Sequence, residues 1–261
     1  MKHLNIVTAL LIMLLMGCKH STEKAVEVAS EMADDFHEST QPEAINIIPI
    51  NHATMILAYK DQVVYVDPVG GSNIFSDQEK PDYILITDIH GDHLDVSTLE
   101  NMVLDSTTLI VPPAVKEKLP ELKAKEIIVM NNGENKELEA FSIEAVPMYN
   151  LREEALKFHE KGRGNGYVLT WNNQRIYISG DTEDIPEMRS LENIDIAFVC
   201  MNLPYTMTVE SAASAVLDFK PKKVYPYHYR GTDGMSDVDK FRSIVNKTNS
   251  DIEVVQLDWY E

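Results

Sequence analysis

Six consecutive residues, Asp88-Ile89-His90-Gly91-Asp92-His93, bring two imidazoles and two carboxylates into one short stretch. Imidazole nitrogen and carboxylate oxygen both suit Zn²⁺, at ~2.0–2.2 Å, and the small Gly91 lets a loop fold tightly enough for residues on either side to converge. Taken alone, this composition also describes a solvated polar loop capping strands. Two later segments tip the balance. Asp181 follows the apolar Tyr177-Ile178, and His228 follows Val224-Tyr-Pro-Tyr227. Three strand ends each delivering a metal-competent residue point to a metal centre, because strand ends are where a rigid framework hands side chains to a site. His159 lies in Phe158-His-Glu-Lys161-Gly-Arg163-Gly-Asn-Gly166. It is either a ligand or substrate-binding histidine or an exposed loop residue. The three glycines of that stretch either turn backbone N–H groups toward an anion or make a flexible turn. Lys161 and Arg163, basic in an acidic chain, raise the expectation of an anionic small-molecule substrate.

The elements that must position these residues are short strands. Ile45–Ile50, Thr54–Tyr59, Val63–Val66 and Tyr83–Thr87 are rich in β-branched and aromatic residues. Leu109–Val111, Ile127–Met130, Phe141–Val146, Tyr167–Trp171, Arg175–Ser179, Ile196–Cys200, Lys223–Tyr225 and Ile252–Gln256 continue the series. Asn172-Asn173 predicts a hairpin turn, since Asn tolerates positive φ. Val209–Phe219 carries Ala212, Ala213, Val216 and Leu217 on one face of a helix, and Ser236 with Asp239 resembles a capping box opening a helix to about Asn246. Hairpins first and helices alternating with strands later give an α+β or α/β chain with a mixed sheet pair flanked by helices.

The motifs then meet a known family. Thr87-Asp-Ile-His-Gly-Asp-His93 resembles the Thr-His-x-His-x-Asp-His signature of metallo-β-lactamase-fold hydrolases. Gly180-Asp181-Thr182 is similar to that family's segment with a bridging carboxylate, and His228 matches its terminal ligand. Asn51-His-Ala-Thr54 and Val66-Asp-Pro68 resemble segments of the branch that includes sugar-phosphate lactonases and N-acylphosphatidylethanolamine phospholipases. The resemblance runs from about Ile45 to the C-terminus and implies a four-layer αββα sandwich with one or two divalent metal ions at one edge of the sheets. It departs from the family twice: the first histidine is Asp88 here, and the histidine of the third motif falls at about Asn150. The implied first metal set is therefore Asp88, His90 and Asn150 with Asp181 bridging, His159 being the candidate to replace the missing imidazole. The second set is Asp92, His93, Asp181 and His228, with His52 and Asp67 supporting from behind. Zn is the expected ion, while the oxygen donors of the first set also suit Mn or Mg. Such an ion acidifies water from about 15.7 toward ~7 and polarises a carbonyl or phosphoryl oxygen. Asp92 is then expected to orient that water and exchange its proton, and Tyr149 or Tyr229 to donate to the developing oxyanion, each tyrosine being equally plausible as packing. The implied activity is hydrolysis of an ester, lactone or phosphodiester. The alternatives are a metal- or ligand-binding lipoprotein of the same fold that has lost catalysis and a purely structural lipoprotein. The altered ligand set and the upstream motifs speak against a β-lactamase proper.

The remaining features bound the setting. Lys2 and His3 precede the apolar run Ile6–Met16, interrupted only by Thr8, too short for the roughly 20 residues of a membrane-spanning helix. It reads as a signal peptide, and Leu15-Met-Gly-Cys18 resembles a bacterial lipobox, which implies acylation of Cys18 and anchoring in a lipid bilayer. Lys19 after the cysteine, with no Asp there, favours the outer membrane. The expected organisation is a signal peptide over 1–17, a tether over 18–43 and a hydrolase domain over 44–261. With Cys18 lipidated, only Cys200 is left, so an intrachain disulfide is excluded, and its apolar run marks a buried thiol. A formal net charge of −19 argues against a nucleic-acid partner, because such binders present a basic face to the phosphates.

Overall fold

The structure is a computed structural model that describes residues 44–260; the signal peptide, Cys18 and the tether lie outside the described residues. The chain opens with β1 (Asn46–Asn51), β2 (Thr54–Tyr59) and β3 (Gln62–Val66), joined antiparallel. β4 (Tyr83–Leu85), helix α1 (Val96–Glu100), β5 (Thr108–Val111), helix α2 (Pro113–Lys116) and β6 (Glu126–Val129) follow. β3 to β6 run parallel, and the first sheet has the order β1-β2-β3-β4-β5-β6.

Side chains along these strands alternate between two cores, as a pleat of period two requires. Met55, Leu57, Val64, Val66 and Leu85 face the interior between the sheets. Their neighbours Ile56, Tyr65 and Ile84 pack on the other side with Leu99 of α1 and Val115 of α2. The helices thus cover the outer face of this sheet.

The second sheet is built from β7 (Asn135–Glu137), β8 (Ser142–Met148), β9 (Gly164–Trp171), β10 (Gln174–Ile178), β11 (Ile196–Cys200) and β12 (Lys223–Tyr227). A small ribbon, β13 (Arg230–Gly231) with β14 (Gly234–Met235), precedes the last strand, β15 (Glu253–Val254). The sheet order is β15-β12-β11-β10-β9-β8-β7, antiparallel from β7 to β10 and parallel from β10 onward. Helix α3 (Pro186–Arg189) lies between β10 and β11. Helix α4 (Val209–Phe219) buries Ala212, Ala213 and Val216, and helix α5 (Val238–Thr248) buries Phe241 and Val245. With α1 and α2 against the first sheet, this is the four-layer αββα sandwich of the metallo-β-lactamase fold.

Local chemistry explains the joints. Asn172 and Asn173 both have positive φ, 51° and 57°, and close the two-residue hairpin between β9 and β10. Helix α5 departs from the capping box expected of Ser236 and Asp239. Asp237 is the cap, accepting from the Lys240 N–H at 2.8 Å, while the Ser236 hydroxyl donates to the Met201 carbonyl. The glycine stretch is also not a loop throughout. Gly164 and Gly166 are buried inside β9, where a Cβ on Gly164 would sit 2.7 Å from the Thr87 carbonyl oxygen and one on Gly166 would sit 2.8 Å from that of Ser179. They let backbones approach closely and do not form an anion cradle.

Candidate metal centre

All the chemistry-bearing residues lie at one edge, beyond the carboxyl ends of parallel strands, where open α/β sheets place ligands. Asp67 follows β3, Asp88 to His93 follow β4, Asp181 follows β10, Asn202 follows β11 and His228 follows β12. His52 sits in the β1–β2 turn, and His159 in the segment before β9. His52, Asp67 and His228 all hold left-handed backbone, with φ of 57°, 45° and 47°. Non-glycine residues keep that conformation at an energetic cost that surrounding structure must outweigh, and three of them meet here.

Asp181 is the hub. Its Oδ1 lies 3.0 Å from His228 Nε2. Its Oδ2 lies 3.1 Å from His159 Nε2 and 3.4 Å from His93 Nε2. The Nε2 atoms of His93 and His228 are themselves 3.1 Å apart. Asp181 and these three histidines are buried. Burial opposes ionisation of Asp181, but the imidazoles of His228, His93 and His159 hold its carboxyl well below the usual carboxylate range. Although these atoms are close, Asp181 Oδ1 and His159 Nε2 have no aligned hydrogen-bond partner. Buried donor atoms that crowd together and leave two of their number unpartnered fit ligands of a shared cation.

Three groups of ligand atoms result among the described residues. His93, Asp181 and His228 form the first, Asp88, His90 and His159 the second, and His52, Asp92 and His228 the third, each with its atoms within 4.8 Å of one another. His90 Nδ1 lies 2.7 Å from Asp88 Oδ2, and His159 Nε2 lies 3.9 Å from it. Asp92 borders the first group, 3.5 Å from His228 Nε2, 3.9 Å from His93 Nε2 and 3.4 Å from His52 Nε2.

Supporting contacts fix the ligands. Asp67 is fully buried, and its Oδ2 lies 2.8 Å from His93 Nδ1. The same carboxylate accepts from the Thr87 N–H at 2.7 Å and the Thr87 hydroxyl at 2.6 Å. A carboxylate behind a ligating imidazole sets its tautomer and orientation, so His93 presents Nε2 to the centre. His52 Nδ1 lies 2.9 Å from the Tyr260 hydroxyl.

The contacts of three further groups differ from those expected. Asn150 turns its amide nitrogen to the surrounding loops, while its Oδ1 is buried without a hydrogen-bond partner. Its amide donates to the carbonyls of Ala155 at 2.8 Å and Tyr205 at 2.7 Å, which ties two loops together. His159 reaches the centre, because the segment folds back on itself, the Asn150 N–H donating to the His159 carbonyl at 3.0 Å. Tyr149 is not among the residues lining the cavity that opens onto the centre, and its hydroxyl donates to Glu187 at 2.9 Å. The cations expected to meet an anion are also taken. Lys161 pairs with Glu187 at 2.7 Å. Arg163 grips Asp88, Nε to Oδ1 at 3.1 Å and Nη2 to Oδ2 at 2.9 Å, restoring charge balance where a carboxylate stands in place of the family's neutral imidazole.

A cavity of 320 Å³ opens onto the centre, lined by His90, Asp92, Phe158, His159, Asp181, Asn202 and Tyr205. Sequence reasoning missed Asn202 and Tyr205, which sit in a loop without periodicity or motif.

Comparisons with known proteins give the family and the fold. The beta-lactamase superfamily domain matches residues 64–229. A Natranaerobius thermophilus protein named UPF0173 metal-dependent hydrolase is 30% identical over 216 residues, covering 79% of this chain and 94% of the relative. A solved crystal structure from Parabacteroides distasonis is 39% identical with a TM-score of 0.72, covering 81% of this chain and 92% of that one. Igni18, a metallo hydrolase from Ignicoccus hospitalis, shares the fold at 19% identity and a TM-score of 0.68, covering 83% of this chain and 96% of its own.

Proposed function

Because the chain belongs to the beta-lactamase superfamily and is a metal-dependent hydrolase of the metallo-β-lactamase fold, we propose that it cleaves an ester, lactone or phosphodiester. One or two divalent cations would be held here, one by His93, Asp181, His228 and Asp92 and the other by Asp88, His90 and His159. The observation that carries this is the reach of the Asp181 carboxylate, within 3.4 Å of His93, His159 and His228 at once. Bound there, a cation would supply Lewis acidity, acidifying water toward ~7 and polarising a carbonyl or phosphoryl oxygen.

The chain's own residues do the rest. Burial raises the pKa of Asp92, but His52 and His93 outweigh it and hold the carboxyl below its ordinary range. Asp92 is therefore an ionised carboxylate on the cavity wall, placed to accept a proton from water and return it to the leaving group. Tyr205 accepts from the Thr232 hydroxyl at 3.0 Å. Its own O–H remains to donate to a substrate oxygen, the role expected of Tyr149 on sequence grounds. The imidazole-rich group suits Zn, and the group containing Asp88 also accommodates Mn or Mg. With Lys161 and Arg163 both paired, the negative charge of an anionic substrate is met by the cations themselves.

Elemental analysis of the purified chain together with turnover of simple esters, lactones and phosphodiesters tests the assignment. The double substitution Asp181→Ala with His93→Ala removes both metal and hydrolysis; survival of both refutes it. The leader sequence supports a second part of the reading, an exported protein with a domain over 44–261 tethered by 18–43 to an acylated Cys18 in the outer membrane. Incorporation of labelled palmitate that persists in Cys18→Ala counts against that part.

A further inference from the structure

The cavity that meets the metal centre has an apolar side. Phe158 and Tyr205 line it, and their rings stand edge to face with centroids 5.0 Å apart. The apolar character continues outward. Leu151, Leu156, Leu203, Tyr205 and Met235 are exposed, although large apolar side chains in water are worth explaining only where they gather. The loops that carry them are stitched together. The Asn150 amide donates to the Tyr205 carbonyl at 2.7 Å, and Arg152 Nη2 donates to the carbonyls of Pro204 at 3.0 Å and Thr206 at 2.7 Å. The β13–β14 ribbon that carries Met235 joins through the Thr232 N–H, which donates to the Leu203 carbonyl at 3.0 Å. Of the polar walls of the cavity, His90, Asp92, His159 and Asp181 belong to the metal centre, and Asn202 stands beside them. Hydrophobic and hydrolytic sides therefore face one space.

We propose that this rim receives a hydrocarbon arm of the substrate, the scissile carbonyl or phosphoryl group lying at the metal centre and an unbranched chain running past Phe158 and Tyr205 toward Leu156 and Leu203. The inference rests on the hydrolase reading and adds the class of substrate: an ester, lactone or phosphodiester with an apolar substituent of several carbons. Its occupant follows from adjacency along the chain, since Phe158 and Tyr205 line the cavity itself and Leu156 and Leu203 each stand two residues before one of them.

Straight-chain carboxylates are suitable probes, because their head group resembles a hydrolysis product. Isothermal titration of the metal-loaded protein compares acetate, butyrate and octanoate. Burying each added methylene contributes up to ~0.8 kcal/mol, so partial burial of four of them predicts octanoate binding at least about tenfold tighter than butyrate. Phe158→Ser and Leu156→Ser each reduce that ratio while metal content stays at the wild-type value. Equal affinity along the series overturns the proposal, as does a length preference that survives both substitutions. A concentration-dependent dimer in sedimentation that Leu156→Ser dissociates also overturns it, since the rim is then covered by a second copy. A chain that takes up no metal refutes the hydrolase reading itself and this inference with it.

Discussion

Replacing Arg163 by Gln removes the bidentate partner of a fully buried carboxylate. Both Asp88 oxygens lose a charged donor, at 3.1 and 2.9 Å. Removing one member of a buried ion pair costs about 3–5 kcal/mol, because the other charge is left without compensation. Two features set the value for this pair. The Arg163 side chain is only 17% exposed, so water screens the pair weakly. Against that, His90 Nδ1 at 2.7 Å still offers Asp88 a partner, which places the cost at the low end, about 3 kcal/mol. For a domain of this size each kcal/mol lowers the melting temperature by about 2–4 °C, so the metal-free Arg163→Gln protein should melt about 6–12 °C below wild type. Asp88→Asn leaves the guanidinium uncompensated and is comparably harmful, whereas the double variant removes both charges and should recover part of the loss. Thermal denaturation of the four proteins in EDTA gives the coupling directly. Additivity of the two single effects to within about 0.5 kcal/mol, the behaviour of independent sites, would refute the charge-compensation argument.

Other outcomes follow from the same geometry. His159→Ala should lose metal while Asn150→Ala retains the wild-type complement by elemental analysis, because His159 Nε2 lies 3.1 Å from Asp181 Oδ2 while the Asn150 amide nitrogen is spent on two carbonyls; the opposite pattern makes Asn150 the ligand. Gly164→Ala places a methyl 2.5 Å from Met148 Cε and 2.7 Å from the Thr87 carbonyl oxygen, an overpacking that costs about 1–3 kcal/mol and is read from the urea midpoint. Burial pushes the Cys200 thiol up to about 12. As the thiolate is the reactive form, iodoacetamide at pH 8 should leave the native protein unmodified and alkylate Cys200 only after denaturation.

The convergence of the residues following β4, β10 and β12 was legible in the sequence because each stands directly beyond an apolar run, and a strand end fixes where the next side chain can go. The four layers were legible from the resemblance and from hairpins giving way to strand–helix alternation. His159 and Asn150 were harder to separate. They lie close together in the chain, and only the fold-back that pairs the Asn150 N–H with the His159 carbonyl decides which one faces the centre. Tyr149 looked like a donor by its position beside Asn150, but the choice of Glu187 as its partner depends on helix α3, distant in sequence. β7 is exposed along its length and carries no apolar signal, so nothing in its residues announced a strand. Arg163 had the right charge for an anion, and its actual partner lies 75 positions away.

The converging side chains come from both halves of the sandwich: His52, Asp88, His90, Asp92 and His93 from the first sheet, His159, Asp181 and His228 from the second. Any cation bound there is therefore a rivet through the two layers as well as a reagent. Chelation should loosen the seam at that edge while the far edge, closed by apolar packing, stays shut. Neither half carries a complete ligand set, so a fragment containing one sheet inherits donors without a centre. Cutting the gene at its natural midpoint would separate the chemistry along with the fold.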